Sequence, residues 1–527
     1  MYINPGNTGF KEIVSSEYVD KTMLISMISS TLQKTGKLTC ISRPRRFGKS
    51  YAARMLCAYY DRSCDSHSLF DDKKISSTED YEKHINKYNV IYFDTASFVS
   101  KARINKRSLS DVPILIINAI NRDLKNMGYD ISSEDSLSDN LIRIVEEPDG
   151  KPFIFIIDEW DAVIREAKND ENAQKTYLDL LRSWFKNEVF TSRVVAAAYM
   201  TGILPIKKDG SHSALSDFDE YTMLNPEEYA PFVGFTEEEV ERLCEEKGVD
   251  FNTMKLWYNG YYLSGVGAVY NPNSVMKAAR NKSFRSYWVQ TSASEALLEY
   301  ISKGYDGLSR TIAELVGGID VKVDTVGFAN DLTTFRGKDD VLTLLIHLGY
   351  LAYNEEDSTV RIPNEEIKRE FQRAIHTVKL EESRKRLEES EKLFMDTINM
   401  DEEAVALQIE KVHTEETAAI HYNSEQSLRS VIKLAYYTYR DHYLQFEELP
   451  SGKGYADIVY IPLPDCDWPI LVIELKWDKS AEGDIDQILD KKYPSVLKNM
   501  NREILLVGIN YDRDNKSHSC RIMKLEV

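Results

Sequence analysis

The sequence predicts an α/β protein of several domains, with a parallel sheet near the N-terminus, a mainly helical middle and a second α/β domain at the end. Three observations lead to this prediction. The chain has 527 residues, which is too long for a single hydrophobic core. Its first 210 or so residues alternate short apolar runs with amphipathic segments, a pattern typical of parallel strands joined by crossover helices. After residue 411 the order changes to helix, strand, strand, helix, strand, strand.

Changes in sequence texture predict four segments. Residues 1–210 form the first α/β domain, and residues 211–375 form a helical region that ends in a helix and hairpin typical of a winged-helix-like module. Within it, Thr236, Glu239 and Gly248 predict the start and the end of a helix over 236–248. Residues 376–410 are dense in Glu, Lys and Arg at helical spacing, which predicts a solvated connecting helix. Residues 411–527 form the final α/β domain.

Composition and charge exclude several classes of protein. A net charge of −19 argues against a surface that binds nucleic acid all over, so any such contact must be a local patch. The six cysteines lack C-x-x-C spacing and the nine histidines are dispersed, so neither a zinc site nor a disulfide framework is expected. The N-terminal residues do not resemble a signal peptide, and no stretch approaches the ~20 apolar residues needed to cross a bilayer. We therefore expect a cytoplasmic protein with no membrane partner.

The first sheet is predicted from four near-continuous apolar runs, which are typical of strands buried on both faces. They cover residues 38–42, 89–94, 153–158 and 193–202.

A phosphate-binding loop is predicted where the first strand meets a helix-prone segment, in SRPRRFGKS (42–50). Gly48 would let backbone N–H groups point at phosphate oxygens, and Lys49 would reach the β- and γ-phosphates. Ser50 would offer its hydroxyl to Mg²⁺ at a helix N-terminus. A Gly-Lys-Ser triplet alone also occurs by chance, so the prediction needs a second element.

The start of this loop departs from the usual pattern. Arg43 stands where the G-x-x-x-x-G-K-[ST] motif has glycine, so the loop must begin differently, with Pro44 a candidate for setting its direction. Arg45, Arg46 and Phe47 complete the loop and are assigned to nucleotide binding. The two arginines would add positive charge for an anionic nucleotide, although solvated arginines are the alternative.

The second element is the acidic pair that follows the strand 153–158. Asp158 would hold Mg²⁺ and Glu159 would orient or deprotonate the attacking water, whereas a plain helix cap is the alternative. Thr201, at the end of the neighbouring strand, is a candidate sensor of the γ-phosphate or else a cap of the following turn. Asp94 is a further candidate of the same kind. Because no N-K-x-D motif for guanine is present, ATP is preferred over GTP.

The last domain carries a second set of charged residues on the strands 454–462 and 468–477. Glu474 and Lys476 share one face because strand side chains alternate. Buried charges at the end of so apolar a strand need compensation, and Mg²⁺, or Mn²⁺, held between Asp457 and Glu474 would provide it. Lys476 would then help water to attack a phosphodiester. The alternative is a structural group of ion pairs.

The helices predicted around these strands add further candidates. Glu425 extends the apolar stripe of the helix 424–440 and is a candidate metal ligand. Gln487 and Lys491 lie one turn apart on the following helix.

Several motifs together resemble a known family. RPRRFGKS, IIDEWD, TGILPI, GFTEEEV, WYNGYY, VYNPNS and IPNEE, with LPSGKGYADIVYIP and ILVIELKW in the tail, resemble bacterial AAA-ATPase-like proteins with a C-terminal PD-(D/E)XK nuclease-superfamily domain. The resemblance covers essentially the whole chain, and Arg43 in place of glycine is shared with it. It implies a STAND-like P-loop ATPase fold, a helical or winged-helix middle and an α/β nuclease fold at the end.

The resemblance also implies roles for the candidate residues. Lys49, Ser50, Asp158 and Glu159 take the nucleotide roles, and the nuclease roles fall to Asp457, Glu474 and Lys476. The expected function is an ATP-gated, metal-dependent nuclease whose partners are ATP and nucleic acid, DNA rather than RNA, with a homo-oligomeric state left open. One alternative is a signalling or scaffold ATPase whose tail binds nucleic acid or a partner without cutting. A nucleotide switch with little turnover is another.

Overall fold

The computed structural model describes residues 1–132, 134–206, 215–263, 265–288, 305, 307–326, 328, 335, 337–377, 381–416, 431–432, 435–436, 443–451, 454–462, 466–477, 502–512, 515 and 517–525. The chain divides into two compact units. The first comprises Met1–Tyr300 with Lys322–Glu370, and the second comprises Ile301–Val321 with Phe371–Val527.

The strands of the described chain are β1 (Leu38–Ser42), β2 (Asn89–Asp94), β3 (Phe153–Asp158), β4 (Val195–Gly202), β5 (Asp219–Tyr221), β6 (Phe235–Thr236), β7 (Tyr261–Leu263), β8 (Gly267–Tyr270), β9 (Val321–Lys322), β10 (Ala352–Asn354), β11 (Thr359–Arg361), β12 (Tyr443–Ser451), β13 (Gly454–Pro462), β14 (Ile470–Trp477), β15 (Ile504–Asp512) and β16 (Ser517–Leu525).

The α-helices are α1 (Thr8–Val14), α2 (Met23–Thr31), α3 (Lys49–Tyr60), α4 (His67–Phe70), α5 (Tyr81–His84), α6 (Thr95–Ile104), α7 (Val112–Asn126), α8 (Leu137–Glu146), α9 (Ala162–Glu166), α10 (Glu171–Phe185), α11 (Glu188–Val194), α12 (Glu237–Lys247), α13 (Phe251–Tyr258), α14 (Pro272–Asn281), α15 (Leu308–Val316), α16 (Lys338–Leu348), α17 (Glu365–Thr377), α18 (Glu381–Ile398) and α19 (Glu402–Glu416). Short 3-10 helices cover Lys74–Ser77, Leu109–Asp111 and Glu227–Phe232.

The first unit contains a five-stranded sheet in the order β2-β3-β4-β1-β5, with every pair parallel. The four predicted strands are confirmed, and β3 and β4 are buried along their whole length. β4 begins at Val195 rather than at residue 193, because the preceding residues complete α11. β5 was not predicted, since a three-residue strand with two acidic side chains has no apolar signature. The parallel arrangement gathers the carboxyl ends of the strands at one edge of the sheet.

The middle of the chain has the local structure that its capping residues predict. Thr236 and Glu239 form a reciprocal capping box at the start of α12, and Gly248 ends the helix in a left-handed conformation. The predicted helix followed by a hairpin is also present, as α16 and the antiparallel pair β10 and β11.

The second unit contains a mixed sheet in the order β12-β13-β14-β15-β16, in which only the β14–β15 pair among these strands is parallel. β12 was not predicted. The side chains of α18 and α19 that point at the sheet form a core with its strands, through residues such as Phe394 and Ile409 against Ile473.

The prediction of one solvated connecting helix over 376–410 is therefore wrong. The segment contains two helices that end and begin around Met400, a residue with a positive φ of 57°. Asp401 caps the second helix by accepting from the Ala404 amide at 3.1 Å. Charged residues dominate the sequence of these two helices, and their apolar residues form only a narrow stripe. A stripe of so few residues is enough to pack one face of a helix, but it is hard to recognise in the sequence.

Candidate active sites

The phosphate loop joins β1 to α3 and is closed around the Lys49 side chain. Gly48 has a φ of 92°, a conformation that favours glycine, and α3 begins at the next residue. Lys49 Nζ donates to the carbonyl oxygens of Arg43 at 2.9 Å and Pro44 at 2.8 Å. Burial lowers the pKa of Lys49 to about 8, although the neighbouring Asp158 and Glu159 oppose this shift. The ammonium group thus lies at the centre of the loop, beside the acidic pair.

The unusual residues of the loop anchor it to the rest of the first unit. Arg43 is fully buried, and its Nη1 donates to the Tyr221 carbonyl oxygen of β5 at 3.1 Å. Arg46 Nη1 donates to the Tyr287 carbonyl oxygen at 2.6 Å. Phe47 is buried, with its ring edge-on to Tyr261 at 5.5 Å between centroids. The side chains of Arg43, Arg46 and Phe47 therefore position the loop through protein contacts.

The predicted acidic pair and the predicted sensor meet at the carboxyl edge of the first sheet. Thr201 Oγ1 donates a short hydrogen bond to Asp158 Oδ1. The Glu159 amide lies 3.1 Å from the same carboxylate oxygen and 3.4 Å from Thr201 Oγ1. Glu159 has a positive φ of 47°, which is uncommon for a residue with a side chain. The tight turn after β3 thus projects Asp158 and Glu159 in different directions from adjacent positions.

Asp94 lies next to this pair, because it is in register with Asp158 across β2 and β3. The pKa of Asp94 is raised to about 6, mainly by burial and also by the nearby charges of Asp158 and Glu159. Its carboxylate also accepts from the Ala96 amide at 2.9 Å and so caps α6. The structure brings Asp94 to the site and gives it a structural role there at the same time.

Two charged residues beyond the pair were missed by sequence reasoning. Arg165 Nη2 donates to Glu159 Oε2 at 2.8 Å, and its Nε donates to Asp161 Oδ2 at 3.0 Å. Asp161 is buried and also accepts from the amides of Ile203 at 3.1 Å and Leu204 at 2.9 Å, just past the end of β4. The four-residue spacing of Asp161 and Arg165 on one helical turn was the signal available in the sequence.

A cavity of about 600 Å³ opens beside the phosphate loop. Arg45, Lys49, Ser50 and Glu159 line it on the side of the loop. The N-terminal segment around Tyr18 also lines the cavity, together with residues that follow the first sheet in the chain. These lining residues include Val19, Phe235, Met276, Lys277 and Arg280. A cavity of this size, lined by both charged and apolar side chains, suits a small organic anion such as a nucleotide.

The second candidate site lies on one face of the mixed sheet. Val459 pairs with Val472 and Ile458 with Ile473, so the continued antiparallel register sets Asp457 opposite Glu474. Asp457 Oδ2 accepts from the Leu475 amide at 2.9 Å. The Glu474 side chain is 1% exposed, whereas Asp457 is partly exposed. The two carboxylates predicted to hold a metal are thus neighbours on adjacent strands.

The remaining candidates at this site are only partly described. Lys476 lies on β14, two residues beyond Glu474, and its backbone is in register with Asn510 of β15. Its side chain lies outside what the structure describes, as do the residues Glu425, Gln487 and Lys491.

Two residues of β15 complete this face of the sheet and were not predicted. Gly508 is in register with Glu474 and contributes no side chain of its own. Asn510, in register with Lys476, is 5% exposed. An isolated glycine and an asparagine in an apolar strand carry little signal by themselves, because only strand pairing brings them to the site.

Both sites offer oxygen ligands of the kind that Mg²⁺ and Mn²⁺ prefer. Ser50 and Asp158 provide a hydroxyl and a carboxylate near the phosphate loop, and Asp457 and Glu474 provide two carboxylates on the mixed sheet. Within the described ranges, no group of three or more His, Cys, Asp or Glu side chains is arranged to hold a metal.

Comparison with known proteins agrees with the two-part arrangement. Residues 6–211 match the model of a family described as a predicted AAA-ATPase, and residues 423–519 match the model of the PD-(D/E)XK nuclease superfamily. The predicted order, with the ATPase region first and the nuclease-superfamily region last, is confirmed. No curated protein matches the sequence.

Several solved structures share weak similarity with the chain. The Walker-type ATPase PABY2304 of Pyrococcus abyssi is 13% identical, with a TM-score of 0.30, over 67% of this chain and 94% of that one. The Aeropyrum pernix ORC2 protein, solved as ADPNP–ADP complexes, is 13% identical, with a TM-score of 0.30, over 69% and 96% of the two chains. A DNA replication initiation factor is 12% identical, with a TM-score of 0.26, over 71% and 92%. In the described part of this chain, no helix is long and apolar enough to cross a membrane.

Proposed function

Because the chain joins a region of the predicted AAA-ATPase family to a region of the PD-(D/E)XK nuclease superfamily, we propose that it hydrolyses ATP and, under control of that ATP, cleaves nucleic acid with a divalent metal ion. One observation carries the first half of this proposal. Lys49, Asp158, Glu159 and Thr201 converge at one edge of the parallel sheet, next to a cavity of about 600 Å³.

Each residue of this group has a distinct role in the proposed reaction. The Lys49 ammonium binds the β- and γ-phosphates, and the backbone N–H groups at the start of α3 bind their oxygens. Ser50 and Asp158 hold Mg²⁺, which, when bound, neutralises charge on the phosphates. Glu159 accepts a proton from the attacking water, and Thr201 fixes Asp158 through its hydrogen bond.

The apolar and aromatic side chains that line the cavity suit a purine base. Tyr18, Val19, Phe235 and Met276 all contribute side chains to this lining. Flat apolar surfaces of this kind favour stacking of an aromatic ring, whereas the phosphate end favours negative charge. Lys277 and Arg280 line the cavity as well and add positive charge.

The proposed ATPase activity can be tested by measuring ATP binding and ATP hydrolysis separately in two variants. Lys49→Ala should abolish binding of ATP in calorimetry, whereas Glu159→Gln should bind ATP with nearly unchanged affinity and lose turnover by at least about a hundredfold. Lys125→Ala, at an exposed position of α7, is the matched control and should leave both unchanged. If Glu159→Gln still hydrolyses ATP at the wild-type rate, Glu159 does not accept the proton of the attacking water. Absence of ATP binding by the wild-type protein would refute the proposal itself.

The proposed nuclease site rests on the apposition of Asp457 and Glu474 across β13 and β14. These carboxylates hold Mg²⁺ or Mn²⁺, and Lys476 stabilises negative charge on the phosphodiester as water attacks. A bound cation would polarise the phosphate and lower the pKa of the attacking water. DNA is the proposed substrate in preference to RNA.

A cleavage assay tests the second half. We expect plasmid DNA to be cut in the presence of Mg²⁺ or Mn²⁺, to a different extent with and without ATP. Glu474→Gln and Lys476→Ala should each reduce cutting by at least about a hundredfold while leaving ATP hydrolysis intact. Calorimetric titration with Mn²⁺ should show a site that Asp457→Asn removes.

The outcomes of this assay separate the two functions. If the protein binds DNA or RNA but cleaves neither under any metal and nucleotide condition, the nuclease proposal is wrong. The protein would then be a scaffold ATPase whose C-terminal region binds nucleic acid without cutting it. If cleavage depends neither on ATP nor on Lys49, the protein is a nuclease, but its activity is not controlled by ATP as proposed.

A further inference from the structure

The catalytic carboxylate proposed above is held in an ion pair. Arg165 Nη2 donates to Glu159 Oε2 at 2.8 Å, and Arg165 is itself only 10% exposed. A guanidinium at this distance occupies one carboxylate oxygen and attracts the negative charge on which a general base depends. In this arrangement one of the two carboxylate oxygens of Glu159 is bound to Arg165 of α9.

Arg165 is well fixed in this position. Its Nε donates to Asp161 Oδ2 at 3.0 Å, and Asp161 also accepts from the amides of Ile203 and Leu204 after β4. Asp161 thus holds the guanidinium through one nitrogen and leaves another directed at Glu159. The pair therefore depends on the end of β4, which is also where Thr201 contacts Asp158.

The cavity reaches this ion pair. Glu159 and Arg45 both line the cavity, and Arg45 lies close enough to interact electrostatically with Glu159 and Arg165. Burial lowers the pKa of Arg45, and the positive charge of Arg165 lowers it further, whereas Glu159 and Asp161 oppose this shift. An anion bound in the cavity would therefore enter a cluster of two arginines and two carboxylates whose pairing can change.

We propose that Arg165 is a positioning residue that restrains Glu159 and keeps ATP hydrolysis slow until the ion pair opens. This inference rests on the proposed ATPase activity and adds a built-in restraint to it. Opening the pair frees Glu159 to accept the proton of the attacking water, while Arg165 remains bound to Asp161. No covalent bond changes in this step, which exchanges one hydrogen-bond partner of Glu159 for another.

The proposed restraint of Glu159 can be tested with substitutions at Arg165, by measuring ATP turnover and ATP affinity separately. Arg165→Gln removes the cation and keeps an N–H donor for Asp161, and Arg165→Met removes the cation and every donor while filling a similar volume. Each should raise kcat for ATP about three- to tenfold at saturating ATP, as expected from loss of a partly buried ion pair. The Kd for a non-hydrolysable ATP analogue should change little, because Arg165 is not among the residues that line the cavity. Arg165→Lys keeps the charge and should return kcat toward the wild-type value.

The controls distinguish failure of this inference from failure of the proposed function. Arg165→Gln combined with Glu159→Gln should show no turnover, because the released group is Glu159. If the wild-type protein binds ATP and Glu159→Gln stops turnover, an unchanged or lower kcat in Arg165→Gln and Arg165→Met overturns the restraint alone. Loss of folding in both variants, seen by circular dichroism, also overturns it, since Arg165 would then be a structural anchor. Failure of the wild-type protein to bind ATP overturns both proposals.

Discussion

Arg43 donates a hydrogen bond of 3.1 Å from Nη1 to the carbonyl oxygen of Tyr221, and so ties the phosphate loop to the edge strand β5. The guanidinium is fully buried, and burial lowers the pKa of Arg43 to about 10. Burial also lowers the pKa of His347 in α16 to about 3, and the positive charge of Arg43 adds to that shift. The residue that replaces the usual glycine of the loop therefore faces the protein interior and is not among the residues that line the cavity.

Arg43→Gly, which restores the usual glycine, should destabilise the protein without improving ATP binding. The substitution removes a large buried side chain and leaves a cavity, at a cost of roughly 2–5 kcal/mol. Urea unfolding monitored by circular dichroism measures the loss, and calorimetry measures ATP affinity. A gain in affinity would show that Arg43 hinders the nucleotide.

Thr201→Val should slow ATP hydrolysis while leaving ATP affinity nearly unchanged. Valine keeps the shape of the side chain but removes the hydroxyl that donates to Asp158 Oδ1. We expect kcat to fall about tenfold, because Asp158 loses the donor that fixes its orientation. Phosphate release at saturating ATP gives kcat. The matched change Thr176→Val on α10 should have no effect, and a fall in affinity equal to the fall in kcat would mean that Thr201 serves binding instead.

ATP binding should be coupled to uptake of a proton near pH 8. Burial lowers the pKa of Lys49 to about 8, so roughly half of this side chain is neutral at that pH. Bound phosphates favour the ammonium form, and the binding reaction must supply the missing proton. Affinity should therefore fall as the pH rises through 8. Calorimetry in two buffers with different ionisation enthalpies should show uptake at pH 8 and none at pH 6.5, where Lys49 is already charged.

A buried carboxylate in α17 predicts a second pH dependence. Glu366 Oε1 accepts from the Tyr287 amide at 2.6 Å and from Ser274 Oγ at 3.1 Å. The pKa of Glu366 is raised from 4.5 to about 7, mainly by burial and also by the charge of Glu370, although hydrogen bonds to the carboxylate oppose the shift. A carboxyl whose pKa is higher in the folded state makes the protein less stable as the pH rises from about 4.5 to about 7.

Glu366→Gln should remove this destabilisation and keep an oxygen acceptor for both donors. The variant and the wild-type protein should have similar melting temperatures at pH 5, and the variant should melt at the higher temperature at pH 8. Differential scanning fluorimetry over this range provides the comparison. Glu356→Gln, at an exposed position of the hairpin, is the control and should give a difference that is constant with pH. A constant difference for Glu366→Gln would show that its carboxyl does not titrate in this window.

Local sequence patterns predicted those parts of the molecule that depend on neighbouring residues. The apolar runs predicted the strands from β1 to β4, and the capping residues Thr236 and Gly248 predicted the ends of α12. The same patterns failed for β5 and β12, and for the break near Met400. Very short strands, and narrow apolar stripes among many charges, leave too few residues for a periodic signal.

At the candidate sites, the sequence by itself determined which chemical groups are available. The loop around Lys49, the acids that end β3 and the Glu-x-Lys pattern of β14 can be recognised from residue type and spacing, because each lies within a single turn or strand. Only the tertiary structure decided which groups meet. Parallel pairing brings Thr201 to Asp158 and Asn510 to the position of Lys476, and a turn with a positive φ at Glu159 brings that carboxylate to Arg165. Long-range pairing and burial set these contacts, so residue spacing cannot encode them.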